Sequence, residues 1–176
     1  GIFIMEEKGL IGLADASEFF VDKNDQKVAG ACLTVVMEGT RPLLVEVQAL
    51  TVPTTLSFPR RVASGIADRR LELLLAVLQK TCKIPLDRHD VFVNVVGGLK
   101  ISETASDLGV CLAIISSFHN NPLRGLIAIS EVGLLGELKT VVNLDKRIKE
   151  AKKFGFKKIL SVKDAAFVSS ILKKGL

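Results

Sequence analysis

The sequence is poor in aromatic and reactive residues. Its 176 residues include no Trp and no Tyr, and only 2 His and 3 Cys. His89 and His119 stand apart beside turn-forming residues, so neither a histidine metal site nor a histidine catalyst is predicted. The cysteines are odd in number and show no C-x-x-C spacing, so we expect buried free thiols in a reducing compartment, the cytoplasm, rather than a disulfide framework.

Long apolar runs are also absent. No stretch reaches the roughly 20 apolar residues that span a bilayer, and the first five residues lead directly into Glu6, Glu7 and Lys8 rather than into a signal-peptide cleavage site. With 48% hydrophobic residues and no polar low-complexity tract, the sequence predicts a compact fold without membrane contact. We expect one domain over residues 1–176.

The order of strand-like and helix-like segments predicts a layered α/β fold with a mixed sheet. Strands are predicted in residues 2–5, 9–13, 28–37, 43–50, 91–96, 126–132 and 158–162, and helices in residues 68–82, 105–117, 143–155 and 165–173. Asp15-Ala16-Ser17 is predicted to cap a single helical turn, and residues 52–62, which contain two prolines, are predicted to be a loop. N-caps are predicted at Asp68, Thr104, Asn143 and Asp164.

The central segment of this pattern is 91–117. A β-branched run ends at a glycine pair, and a helix with a buried apolar face follows. Asp107 lies three residues after the predicted cap Thr104, where a carboxylate meets the positive end of the helix dipole. A strand, a glycine turn and a helix N-terminus form a geometry that many enzymes use to hold a nucleophile.

The formal net charge is +5, and the positive charge is concentrated in one segment of the sequence. Residues 139–158 contain two acidic residues, Asp145 and Glu150. The other charged residues of this segment are basic: Lys139, Lys146, Arg147, Lys149, Lys152, Lys153, Lys157 and Lys158. Arg60 and Arg61 form a second basic site. The pattern indicates a polyanionic partner, although a solvated helix face has the same composition.

Several blocks of the sequence resemble one protein family. The blocks are DVFVNVVGGLKISETASDLGVCLAIISSF and SEVGLLGELKTVV, with PRRVASG upstream and KEAKKFGFKKIL downstream. They resemble the carboxy-terminal domain of the bacterial RadA (Sms) DNA repair family, which is similar to the proteolytic domain of Lon. The resemblance covers residues 1–162 and implies the Lon protease-domain fold, which belongs to the ribosomal protein S5 domain 2-like group.

The resemblance to Lon also gives the positions of a serine–lysine dyad. Matching the Lon motifs to this sequence puts Asp107 at the nucleophile position and Asp145 at the base position. Two carboxylates do not supply a hydroxyl and a neutral amine, so the domain is predicted not to be a peptidase. We interpret both as acids at helix N-termini, with acid hydrolysis or metal binding as an alternative. Ser106 and Lys146, each one position away, leave open an active peptidase with a shifted dyad.

The family resemblance implies a role in DNA repair. The full-length protein is implied to be a hexameric, ATP-driven DNA motor that processes branched recombination intermediates alongside RecA. Its RecA-like ATPase segment and four-cysteine zinc motif, with ATP, Mg and Zn, are expected upstream. No cofactor is predicted here, because the GELKT segment lacks the G-x-x-x-x-G-K-[ST] pattern of a P-loop.

This domain is accordingly predicted to be a non-proteolytic scaffold that supports a homo-hexamer and binds single-stranded and branched DNA. Contacts to phosphates rather than bases are expected, because there is no Trp or Tyr on which bases could stack. The alternative is an oligomerisation domain without DNA contact. The candidate DNA-binding residues are Arg60, Arg61, Lys146, Arg147, Lys149, Lys152, Lys153 and Lys157.

Overall fold

The computed structural model describes residues 3–6, 9–12 and 28–173 of the chain. The strands are β1 (Phe3–Glu6), β2 (Gly9–Gly12), β3 (Ala31–Glu38), β4 (Arg41–Pro53), β5 (Arg61–Ser64), β6 (His89–Val95), β7 (Leu126–Ile129), β8 (Glu131–Val132), β9 (Leu138–Lys139) and β10 (Lys158–Ser161). The helices are α1 (Asp68–Cys82), α2 (Asp107–His119), α3 (Leu144–Lys153) and α4 (Val168–Lys173). The helical turn predicted at Asp15-Ala16-Ser17 lies outside the described residues.

Six strands form one sheet in the order β10-β7-β3-β4-β6-β5. The β3–β4 and β4–β6 pairs are antiparallel, whereas β10 and β3 pair with β7, and β5 with β6, in parallel. The predicted mixed α/β sheet is therefore confirmed. No helix within the described ranges is long and apolar enough to cross a membrane.

Helices cover both faces of the sheet, and the alternation of β4 explains how. Successive strand residues point to opposite faces. Val47 packs with the buried residues of α1 and α2, and Leu44 packs with Leu144 and Ala151 of α3. The sequence of α2 is apolar on every side, and ten of its residues are buried. The start of this central helix therefore lies inside the protein, and its end binds β4 through Ser117, whose hydroxyl accepts the Thr51 N–H at 2.9 Å.

One part of the sheet carries apolar side chains that the described residues leave exposed. Leu50 of β4, Phe92 of β6 and Val62 of β5 are direct cross-strand neighbours in one row. Leu50 is 57% exposed and Val62 is 47% exposed. With part of β3 and the residues before it, these strands line an open cavity of about 510 Å³. We call Leu50, Val62 and Phe92 the open sheet face.

The predicted boundaries of two strand segments are wrong. Residues 52–62 are not all loop, because β4 continues to Pro53 and β5 begins at Arg61. The run predicted as one strand over 126–132 is interrupted at Ser130. Its backbone N–H donates to the Ala105 carbonyl at 3.1 Å, and its carbonyl accepts the Leu108 N–H at 3.2 Å. The chain therefore leaves the sheet there and binds the beginning of α2.

The helix caps also differ from the sequence predictions. The N-cap of α1 is Ala67 rather than Asp68, and that of α2 is Ser106 rather than Thr104. Asn143 is the N-cap of α3, as predicted, but its side chain makes no capping hydrogen bond. Asn143 instead adopts a left-handed conformation with φ of 58°. Asp164 accepts the Ser161 N–H at 2.9 Å in the turn after β10, and α4 begins later than predicted.

Candidate functional site

Asp107, at the nucleophile position implied by Lon, is the first residue of α2 and is 2% exposed. Its carboxylate accepts hydrogen bonds from the Arg70 guanidinium, with the Nε donor at 2.9 Å, and from the Val132 N–H at 3.1 Å. The Arg70 guanidinium also donates to the Val132 carbonyl at 3.0 Å. Asp107 therefore joins α1, α2 and β8 through an ion pair in which its own carboxylate is buried and Arg70 is partly exposed. Its role is thus larger than that of a helix-terminal acid.

The ionisation of this pair reflects two opposing effects. Burial raises the pKa of Asp107, and the hydrogen bonds from Arg70 and Val132 oppose that rise. The hydrogen bond to Asp107 in turn raises the pKa of Arg70. Pairing alone would lower the pKa of the carboxyl, so desolvation is the stronger influence on Asp107. The carboxylate consequently depends on Arg70 for its stability in the ionised form.

Asp145, at the base position implied by Lon, lies in the first turn of α3, as the sequence predicts. Its side chain is 89% exposed and accepts a hydrogen bond from the Lys163 ammonium at 2.8 Å. Lys163 lowers the pKa of Asp145. Asp107 and Asp145 thus have different partners, and the described residues contain no acidic, cysteine or histidine cluster that could hold a metal ion.

Ser106 and Lys146, the residues of the possible shifted dyad, lie in different surroundings. Ser106 is 2% exposed and belongs to a single 3₁₀ turn before α2. The Lys146 ammonium is at the surface, where it donates to the Thr40 carbonyl. Within the described part of the chain, no hydrogen bond joins the two side chains. This arrangement does not favour a shifted dyad.

Arg147 was predicted to bind DNA, and the structure contradicts that prediction. Its side chain is 2% exposed. The guanidinium donates to both carboxylate oxygens of Glu103, at 2.6 and 2.5 Å, and to the carbonyls of Val35 and Val142 at 2.7 and 3.0 Å. Glu103 also accepts the Met37 N–H at 2.7 Å. Arg147 therefore fastens α3 to the sheet and cannot reach a phosphate.

The other basic residues of α3 lie on its solvent side. Leu144, Arg147 and Ala151 form the buried stripe of the helix. Lys149, Lys152 and Lys153, which we call the α3 lysines, are exposed. Their i, i+3 and i+4 spacing places them on one helix surface. Lys153 Nζ lies 5.3 Å from the centre of the Phe154 ring. Lys146, at the beginning of the helix, and Lys157, in the loop after it, are also exposed.

The second predicted basic site is largely engaged within the protein. Arg60 forms an ion pair with Asp90 at 2.7 Å, and its guanidinium lies 5.6 Å from the centre of the Phe92 ring. The Arg61 guanidinium donates to the carbonyls of Leu86, at 2.6 Å, and His89. Arg61 thus fastens β5 to the segment before β6, and Arg60 is the more accessible of the two.

Comparison with known proteins shows which proteins this chain is related to. No family model matches the chain. The chain is 45% identical over 163 residues, 91% of its length, to the DNA repair protein RadA of Halalkalibacterium halodurans. It is 49% identical over 158 residues to RadA of Campylobacter jejuni and 45% identical over 161 residues to RadA of Escherichia coli, covering 89% and 91% of this chain. The chain belongs to the RadA family. It spans 35% of the length of each of these relatives.

Membership of the RadA family confirms the resemblance predicted from the sequence. The partial coverage of the relatives is consistent with a domain of a longer protein, as that resemblance implies. The positions that the resemblance to Lon implies for the dyad hold a buried aspartate paired with Arg70 and an exposed aspartate paired with Lys163.

Proposed function

We propose that this RadA-family domain is a non-proteolytic scaffold that binds DNA through phosphate contacts and associates with further copies of itself. The observation that carries the proposal is the exposed row of α3 lysines on a helix whose other side is fixed by the buried Arg147 and its ion pair with Glu103. The whole protein would be an ATP-driven motor in the cytoplasm that processes branched recombination intermediates with RecA, and its ATP, Mg and Zn sites would lie in other parts of the polypeptide.

The argument for phosphate contacts rests on the chemistry of the exposed residues. Lysine ammonium groups neutralise phosphates without reading base edges, so binding should be nearly independent of sequence. The relatives are named as DNA repair proteins, which makes DNA the natural polyanion. Single-stranded and branched substrates are the proposed ligands.

Reversing the charge of the α3 lysines should weaken DNA binding. In the triple variant Lys149→Glu, Lys152→Glu and Lys153→Glu, three phosphate contacts are lost, and the slope of log affinity against log salt should flatten by about 2.7 on duplex DNA and about 2.1 on a single strand. Fluorescence anisotropy of labelled oligonucleotides over a salt series measures the DNA affinity and its dependence on salt.

A charge-matched control separates this effect from net charge. Lys80, Lys83 and Lys100 are exposed lysines outside α3, and reversing all three changes the net charge equally. The control should keep most of the affinity and the parent's salt slope. If the α3 variant binds as tightly as the parent at every salt concentration, the lysines are a solvated helix face and the domain is an oligomerisation module without DNA contact.

Self-association is supported by the open sheet face. Exposed apolar side chains that adjoin in one row are a feature of interaction surfaces. The ion pair of Arg60 with Asp90 neutralises the charge beside Phe92, so this face suits protein better than a polyanion. We propose that a second copy covers it and that repeated head-to-tail contact closes a six-membered ring, the number being that of the family resemblance.

The variant Leu50→Glu with Val62→Glu should shift self-association to at least tenfold higher protein concentration, because two carboxylates would have to be desolvated in the contact. Sedimentation velocity over a concentration series measures the shift. Leu134→Glu with Leu135→Glu is the control, since these leucines are 66% and 77% exposed in a turn elsewhere. If the Leu50→Glu, Val62→Glu variant self-associates at the same protein concentration as the parent, the open sheet face is not the contact between copies.

The domain should not hydrolyse peptides, because the carboxylate of Asp107 is bound to Arg70 and Asp145 is bound to Lys163 at the surface. The measurement is turnover of an unfolded protein substrate by the purified chain. Turnover that Ser106→Ala abolishes would instead establish the shifted dyad.

A further inference from the structure

A second cavity, of about 550 Å³, lies beside the edge strand β10. Its walls come from the turn after α2, the loop between α3 and β10, and the segment leading into α4. Leu126, Leu160 and Ile171 give it an apolar wall. Its volume falls within the roughly 300–1,000 Å³ of cavities that hold small organic ligands.

Three cationic side chains line the same cavity: Arg124, Lys157 and Lys158 are all exposed. Within the part of the chain that the structure describes, no hydrogen bond or ion pair engages any of the three. Asp164 also lines the cavity, and its Oδ2 accepts the N–H and the hydroxyl of Ser161 at 2.9 and 3.0 Å. The formal charge at the cavity is therefore positive, because three cations face one carboxylate.

An apolar wall beside available cations matches one class of ligand. A nucleoside phosphate has a flat, largely apolar base and a compact anion at its other end. We propose that this cavity binds a nucleoside monophosphate, with the base against the apolar wall and the phosphate among Arg124, Lys157 and Lys158. The strand end of DNA is the expected source, and this assignment of the source rests on the DNA binding proposed above.

An acidic peptide is the competing ligand, and the geometry favours it less. Such a peptide would pair with β10, which is the outermost strand of the sheet among the described residues and has only four residues, Lys158–Ser161. Lysines on an edge strand discourage the addition of another strand. The apolar wall formed by Leu126 and Ile171 would gain nothing from acidic side chains, whereas it would shield one face of a base from water.

Filling the cavity without changing charge is the most direct test. Ala165 lines the cavity, whereas its neighbour Ala166 is exposed and does not line it. Titration of the purified chain with deoxyadenosine 5′-monophosphate, followed by calorimetry, should show binding that Ala165→Leu weakens more than tenfold and Ala166→Leu leaves unchanged. Arg124→Gln should weaken it about tenfold, the loss expected for one charge-assisted hydrogen bond. Thermal unfolding of each variant verifies that the fold is intact.

Further ligands identify the chemistry and the source. Deoxyadenosine and inorganic phosphate should each bind at least tenfold more weakly than the nucleotide, and a single strand with a 5′-phosphate should bind more tightly than its circular counterpart. Nucleotide binding that is insensitive to Ala165→Leu, equal affinity for inorganic phosphate, or tighter binding of a hexaglutamate peptide would overturn the proposal. Equal binding of linear and circular strands would overturn the strand-end source.

The charge-reversed α3 lysines distinguish this inference from the proposed function. That variant should lose affinity for duplex DNA and keep its affinity for the nucleotide, whereas Ala165→Leu should do the reverse. Nucleotide binding by a parent chain that does not bind DNA would refute the proposed function and the strand-end source while supporting the cavity as a site for free nucleotide.

Discussion

Glu103→Ala should lower the free energy of unfolding by about 3–5 kcal/mol, because it leaves the Arg147 guanidinium buried without a counter-charge. Glu103 accepts two hydrogen bonds from this guanidinium, at 2.6 and 2.5 Å, and among the described residues no other carboxylate pairs with it. The remaining acceptors are backbone carbonyls, which do not compensate a full charge. The unfolding midpoint should fall by roughly 6–20 °C in a chain of this size, as measured by circular dichroism.

An exposed glutamate gives the matched control for this variant. Glu38 is exposed at the end of β3, and Glu38→Ala should change the stability by no more than about 0.5 kcal/mol. Replacing both members of the pair, with Arg147→Met and Glu103→Leu, should recover much of the loss, because no uncompensated charge then remains. A loss below about 1 kcal/mol for Glu103→Ala would mean that the pair behaves like a surface salt bridge.

The features of the fold that could be predicted are those encoded by local pattern. The alternation in residues 43–50 and the β-branched run after His89 predict β4 and β6, and both lie in the observed sheet. The break at Ser130 could not be predicted in the same way. It depends on hydrogen bonds to residues 105 and 108, which belong to a different element.

In the candidate site, too, the positions of residues within helices could be predicted from the local sequence, whereas their partners from distant segments could not. The sequence places Asp107 and Asp145 at the starts of two helices, as observed, but their partners Arg70 and Lys163 are 37 and 18 residues away. Arg147 stands among lysines, and composition alone does not separate it from them. Helical spacing carried a signal, because Arg147 is three residues after Leu144 and four before Ala151 and so shares the apolar stripe.

Arg70→Ala should destabilise the folded chain by about 3–5 kcal/mol at neutral pH, because it removes the counter-charge of a carboxylate whose side chain is 3% exposed. Arg69→Ala is the control, since Arg69 is the preceding residue of α1 and is exposed. Urea unfolding of the parent and both variants gives the difference. If Arg70→Ala lowers the stability no more than Arg69→Ala does, the buried carboxylate of Asp107 does not need Arg70. The interpretation of Asp107 as a member of a structural ion pair would then be wrong.

The stability lost in Arg70→Ala should depend on pH, and the direction of this dependence identifies the Asp107 carboxylate as the cause. Burial already raises the pKa of Asp107 above the ordinary value of 3.8, and removing Arg70 takes away the partner that opposes this rise. A carboxyl whose pKa is higher in the folded state binds its proton more tightly there, so stability falls as the pH rises from the unfolded pKa through the folded one. The cost of Arg70→Ala should therefore be small at and below about pH 4, which is close to the pKa of the unfolded carboxyl, and should increase toward neutral pH. A cost that is constant from acid to neutral pH would instead reflect lost packing by the arginine side chain.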